Sequence, residues 1–152
     1  MKKIKSAKFF IIFFLFISCG YSPLYKDLGD TNFSITINET NGNRKINNLL
    51  KSKLSNYNST NAEKNYVIKI NSEYFKDIIA KDTTGAATEY KLIVNSSFKV
   101  TLPNDERQYN FKESFNMKSM SDRLEEQDYE ENLKSNLVNI ISKKLVMKLS
   151  QI

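Results

Sequence analysis

Hydrophobic and polar positions along this chain follow two periods, and the switches between them mark out its elements. Phe33, Ile35 and Ile37 alternate with Ser34, Thr36 and Asn38, which predicts a half-buried strand. Asn41-Gly42-Asn43 breaks that strand and supplies a helix cap. Ile46, Leu49, Leu50, Leu54 and Tyr57 then recur at i, i+3, i+4, i+8 and i+11, one apolar helical face opposite Lys51, Ser52, Lys53 and Ser55. A polar loop at 58–63 leads to a second strand. Tyr66, Ile68, Ile70, Ser72 and Tyr74 share one of its faces, and Ile78 to Ala80 extend it past a bulge or bend. Residues 82–85 form a turn.

The third strand is the clearest. Tyr90, Leu92, Val94, Ser96, Phe98, Val100 and Leu102 line one face, with polar residues almost throughout the other. Pro103-Asn104-Asp105 turns the chain. The fourth strand carries Tyr109, Phe111, Phe115 and Met117 on one face, where only Glu113 breaks the apolar register. An edge or bulge position is the plain reading of Glu113, against a buried catalytic acid. Asp122 with Glu125 resembles a capping box, and Leu133, Leu137, Ile140, Ile141, Leu145 and Leu149 form the stripe of a long final helix. Its early acids and late lysines complement the helix dipole.

The order is strand, helix, three strands, helix, each with one apolar side. The economical solution is an α+β fold: a four-stranded, mainly antiparallel sheet with both helices packed on one face and a small, polar, wet opposite face.

The N-terminus has a different character. Lys2, Lys3, Lys5 and Lys8 precede a wholly apolar run, Phe9 to Ile17. As a helix that run spans roughly 14 Å, against a bilayer core of about 30 Å. It fits a secretory signal peptide better than a membrane span. The run ends at Leu15-Phe16-Ile17-Ser18-Cys19, which resembles the bacterial lipobox, with Ser18 in the small position and Phe16 departing from the usual leucine. The division is therefore a signal peptide at 1–18, a lipidated tether at 19–31 and a single domain at 32–152. Cys19 is the lipidation site, against the alternative of a buried free cysteine. It is the only cysteine, so no intramolecular disulfide forms. Two or three acyl chains would hold the protein to a membrane durably without spanning it. Gly20, where an aspartate would retain a lipoprotein in the inner membrane in the best-known sorting systems, favours the outer membrane.

Signal cleavage also changes the charge. The full chain has 23 basic and 17 acidic residues; without the four N-terminal lysines the count is 19 against 17, a net charge of about +2. The high isoelectric point is then largely a targeting feature and gives no argument for nucleic acid. The chain has no histidine and its one cysteine is spoken for, which removes Ser-His and Cys-His nucleophiles and the usual zinc ligand sets. The cluster Glu125, Glu126, Glu130 and Glu131 would suit a cation or acid–base work, but a solvated helix start is the plainer reading. The expectation is a non-catalytic protein without a cofactor.

The run "CGYSPLY", Cys19 to Tyr25, resembles the start of mature LPS-assembly lipoproteins of the LptE family, and "RKINNLL", Arg44 to Leu50, resembles that family's first helix. The resemblance extends to the element order of the whole mature chain. It implies a place in the outer membrane on the periplasmic side, as a plug in the lumen of the LptD β-barrel that aids the barrel's assembly and the delivery of lipopolysaccharide. The implied partners are the barrel, lipopolysaccharide and the membrane. Lys81, Arg107 and Arg123 are the turn-proximal cations that lipopolysaccharide phosphates would meet, with ordinary surface charge the plainer reading of each. Two other classes stay open: a non-catalytic lipoprotein subunit of another envelope machine, such as barrel assembly, and a small periplasmic hydrolase, which the missing histidine disfavours.

If Cys19 carries the lipid, Cys19→Ser leaves an uncut precursor that takes up no labelled palmitate. Normal processing and labelling of that variant would overturn the assignment.

Overall fold

The computed structural model describes residues 32–58, 62–102 and 105–152. The signal peptide, the tether with Cys19, and the Pro103-Asn104 part of the predicted turn lie outside them. The elements run β1 (Phe33–Gly42), α1 (Arg44–Leu54), β2 (Lys64–Lys81), β3 (Ala87–Thr101), β4 (Glu106–Lys118) and α2 (Arg123–Leu149), and the four strands form one sheet in the order β1-β2-β3-β4. The predicted element order and fold class hold.

β2, β3 and β4 form the antiparallel meander, while β1 lies parallel to β2. Parallel neighbours need a crossover, and α1 supplies it. β1 continues four residues beyond the alternation that predicts it. The reason is a bulge: Ile37 pairs with Ile68 and Glu39 with Lys69, which leaves Asn38 unmatched and shifts the side-chain parity by one.

The β1–α1 junction is tightly built. Gly42 has φ +86°, and a Cβ there would stand 2.0 Å from the Ser72 carbonyl oxygen. Only glycine allows that approach. The Asn43 amide then donates to the same carbonyl at 2.7 Å, and the Asn43 side chain caps α1 by accepting from the Lys45 and Ile46 amides. Asn47, one turn on, is buried; it donates to the Asn41 carbonyl at 2.8 Å and accepts from the Ser72 hydroxyl at 2.7 Å. Leu49 is only half-buried, because the buried face of α1 runs through Ile46, Asn47, Leu50 and Leu54. At the far hairpin, Asp82 Oδ1 accepts from the Thr84 and Ala86 amides and Gly85 takes φ +88°, so the turn that the sequence indicates at 82–85 is there and closes on Ala86.

Both helices meet one face of the sheet. Ser72 touches α1, while Tyr66 and Tyr74, on the same side of β2 by alternation, reach α2: Tyr66 donates to the Leu149 carbonyl at 3.3 Å and Tyr74 to Glu130 at 2.7 Å. Leu50, Leu54, Ile68, Ile70, Leu92, Val94, Phe98, Val100, Ile141 and Leu145 form the solvent-free core between the layers. The buried side of α2 is wider than a single stripe. Val138, Ser142 and Val146 join Leu133, Leu137, Ile141, Leu145 and Leu149, since α2 packs on the sheet and on α1 at once, whereas Ile140 faces outward. Glu113 occupies edge strand β4, as read from the sequence, and its carboxylate pairs with Lys144 of α2.

Leu92, Phe98, Leu137 and Ile141 are buried, so truncating Leu137→Ala should cost about 2–5 kcal/mol in denaturant melts. A loss under about 0.5 kcal/mol would mean that α2 does not pack on the sheet.

Candidate functional site

With both helices on one side, the other face of the sheet is left uncovered among the described residues. Strand register arranges its side chains in rows across the strands. Glu39, Lys69, Lys99 and Gln108 form one row; Asn41, Asn71, Ser97 and Asn110 the next; Glu73, Asn95 and Lys112 a third. Lys69 pairs with Glu39 at 3.0 Å, Gln108 donates to Ser97 at 3.1 Å and to Asn110 at 3.3 Å, and Asn95 donates to Glu73 at 3.3 Å. The fourth row sets Phe75 opposite Ile93, with Ser114 beyond, and the fifth is polar again with Asp77, Lys91 and Asn116. The expected small, polar outer face is therefore interrupted by one apolar pair.

Two shallow hollows lie on this face. One, of about 250 Å³, is lined by Asn71, Glu73, Asn95, Ser97, Asn110 and Lys112 among others. The second, of about 350 Å³, adjoins it through the shared Asn71 and Ser97 and reaches Glu39, Lys69 and Gln108. Asn95 Oδ1 is buried in the first and has no hydrogen-bond partner. A hydroxyl or amide donor placed in that hollow would satisfy it. The chemistry on offer is neutral amide and hydroxyl recognition flanked by charges of both signs, with no nucleophile set against a base.

The acidic cluster of α2 has a different role from the one its sequence suggests. Glu125 is exposed, but Glu126 and Glu130 are turned toward the sheet. Lys76 of β2 bridges Glu126 at 3.1 Å and Glu130 at 2.8 Å; Lys134 holds Glu130 at 2.6 Å and Glu131 at 3.0 Å; Lys45 of α1 meets Glu131 at 2.7 Å. The ammonium groups also lie over aromatic faces, Lys76 on Tyr90 and Lys134 on Tyr74. Glu126 further accepts from the Met120 amide at 3.0 Å, a different contact from the capping-box bond between the Glu125 side chain and the Asp122 amide. These carboxylates are not a solvated helix start. Sequence spacing shows the i, i+4 pair Glu130–Lys134; that Lys76 joins it depends on strand register, which spacing does not reveal.

The three predicted cations are not gathered together. Lys81 pairs in register with Ala87 at one end of β3, and Arg107 with Val100 at the other, roughly 44 Å away at strand rise. Arg107 donates to Asp105 at 2.9 Å. Arg123 opens α2 and borders a polar hollow of about 300 Å³ beside Lys76, Glu126 and Glu130. No single phosphate group can meet all three.

No protein-family model matches the sequence, and no curated protein matches it. Solved structures do resemble it. Rare lipoprotein B from Shewanella oneidensis superposes with a TM-score of 0.57 at 13% identity, over 75% of this chain and 95% of that one. The uncharacterized lipoprotein B from Nitrosomonas europaea gives 0.54 at 14% identity, over 80% of this chain and 87% of that one. At such identities the likeness establishes the fold.

Burial pushes the Glu130 carboxyl upward, but hydrogen bonds from Lys134, Lys76 and Tyr74 outweigh it and hold the group at about 2, against an ordinary 4.5. A carboxylate lowered in the folded state contributes stability above its unfolded pKa, and that contribution fades as pH falls from about 4.5 to about 2. Glu130→Gln should therefore weaken the fold at pH 7 and flatten its acid sensitivity in this window. Urea melts at pH 7 and pH 3 measure both; an equal loss at the two pH values would remove Glu130 from the acid response.

Proposed function

We propose that this chain is a lipid-anchored protein of the outer membrane, facing the periplasm. It seats in the lumen of an LptD-type β-barrel, assists that barrel's assembly, and so serves delivery of lipopolysaccharide to the cell surface. The observation that carries the proposal is the fold shared with rare lipoprotein B, joined to the Cys19-to-Tyr25 run at the start of the mature chain. The uncovered sheet face adds a physical reason. A barrel lumen of this class is polar and wet, and three rows of amides, hydroxyls and paired charges can exchange water for barrel side chains at little desolvation cost.

In this reading the protein is a stoichiometric part and catalyses nothing. The mature chain has a net charge of only about +2, so adhesion is not simply electrostatic. Shape and hydrogen bonding from the polar rows do the recognition. Lys81, Arg107 and Arg123 stand too far apart to share one phosphate group, so they meet lipopolysaccharide phosphates as separate single-cation contacts.

Ser97 sits at the junction of the two hollows, so Ser97→Trp adds bulk where the barrel would dock. The variant should lose barrel in mild-detergent co-purification while its own stability stays within about 1 kcal/mol of the parent. Depletion of the protein should lower assembled barrel and surface lipopolysaccharide together. Recovery of no LPS-transport barrel, with surface lipopolysaccharide unchanged on depletion, would overturn the reading.

A further inference from the structure

Both outer strands of the sheet have an unpaired edge among the described residues, and they differ in kind. β1 is interrupted by its bulge at Asn38, a common way of blunting an edge. β4 pairs with β3 through thirteen consecutive residues without a shift, and Glu106–Lys118 contains no proline. A long, regular, uncovered edge is a template for another strand.

Apolar side chains collect beside this edge. Phe115 points to the helix side of the sheet yet is 44% exposed. Lys144 of α2 pairs with Glu113, and α2 runs opposite to β4, from the Lys76 level of the sheet down to Tyr66. Ile140, one turn before Lys144, and Met147, one turn after it, lie on the same side of α2 as Lys144, the side that meets β4. Ile140 is 41% and Met147 46% exposed. A strand added to β4 would lay its helix-side residues along these three.

The sequence of β4 indicates which strand. Set antiparallel against a second copy and centred on Lys112, it brings Glu106 opposite Lys118, Gln108 opposite Asn116, Tyr109 opposite Phe115, and Asn110 opposite Ser114, each pair occurring twice. Acid meets base, amide meets amide, and the exposed Phe115 gains an aromatic neighbour. Glu106 already bridges Lys99 at 2.8 Å in its own sheet, so Lys118 of a second copy would extend an existing ion pair into a chain of charges. The costs are Lys112 facing its own copy at the axis on the wet side, and Glu113 opposite Phe111 and Arg107 opposite Met117 on the helix side. We propose that β4 is a self-pairing edge: two copies join antiparallel through Glu106–Lys118 into one continuous eight-stranded sheet, closed by a two-fold axis at Lys112. The outward stripes of the two α2 helices then approach across that axis and cover Phe115, Ile140 and Met147. The polar rows on the opposite face stay open, but a copy seated in a barrel lumen is enclosed on the β4 side as well, so the self-paired form is the protein outside a barrel and the two states exclude each other.

The test uses the full-length protein in mild detergent. Sedimentation should give a mass twice that of the protomer. Lys118→Glu, which sets acid against acid twice, should raise the dimer dissociation constant roughly tenfold or more. Adding Glu106→Lys should restore the parent value, a rescue that general damage to the fold would not show. Lys112→Thr should tighten the dimer. Lys112→Cys should crosslink to itself on oxidation, and Lys69→Cys, away from the edge, should not. A monomer at all concentrations, a failed charge-swap rescue, or crosslinking of Lys112→Cys to a different protein instead of itself would each overturn the proposal. Barrel recovery is scored on the uncrosslinked parent, so its absence there counts against the barrel reading alone.

Discussion

The placement of α2 depends on one carboxylate. Glu130 is held between Lys76 from the sheet, Lys134 from its own helix and the Tyr74 hydroxyl. Buried ion pairs of this kind add little net stability over an apolar substitute, because desolvation consumes most of the attraction. What they do is penalise alternatives. If α2 slid by one turn, the Glu130–Lys134 pair would travel with it, but part-buried Glu130 would leave Lys76 and the Tyr74 hydroxyl, and that loss is costly. The apolar residues of α2 would pack on the sheet in several registers. The ions select one, and with it the line along which α2 leaves β4 uncovered.

That selection gives the two sheet faces different characters. The helix-covered face is closed by leucine, isoleucine, valine and phenylalanine, and it holds few polar groups; Asn47 and Ser72 are hydrogen-bonded to each other, while the buried Ser96 hydroxyl has no partner among the described residues. The opposite face holds rows of amides and charges that are only partly satisfied among themselves, Asn95 Oδ1 being the clearest case. A surface that leaves hydrogen-bonding capacity unused in the isolated chain is suited to exchanging water for a polar partner, and poorly suited to burial against an apolar one.

Much of this was legible in the sequence. The alternation of Tyr90 to Leu102 and the spacing of Leu133 to Leu149 specify a strand and a helix because one side of each meets the core. The turn at 82–85 and the caps at Asn43 and Asp122 follow from the side chains' own hydrogen bonds. What sequence could not show are effects of register between distant segments. Lys76 reads as an ordinary strand lysine until β2 is set beside α2. Asn38 reads as the end of a strand until β1 is paired with β2. Asn47 reads as the polar side of α1 until the Ser72 hydroxyl is brought to it. Ile140 and Phe115 share their stripes with core residues, and it is only the width of the helix layer that leaves them outside.

The parallel pairing of β1 also bears on the order of folding. β2, β3 and β4 are joined by short turns, so their ladders close locally and at small entropic cost. β1 emerges first of the four strands, yet its neighbour among them begins 31 residues later, at the Phe33–Lys64 pair, with a whole helix between. It cannot pair with β2 until the crossover is formed and the meander offers its edge. Sequence separation of contacts is what slows folding, so the non-local step falls on the strand nearest the N-terminus. A chain delivered N-terminus first then completes its sheet with the segment that arrived earliest. Asn38, which interrupts β1, also makes that waiting strand a poorer template for aggregation.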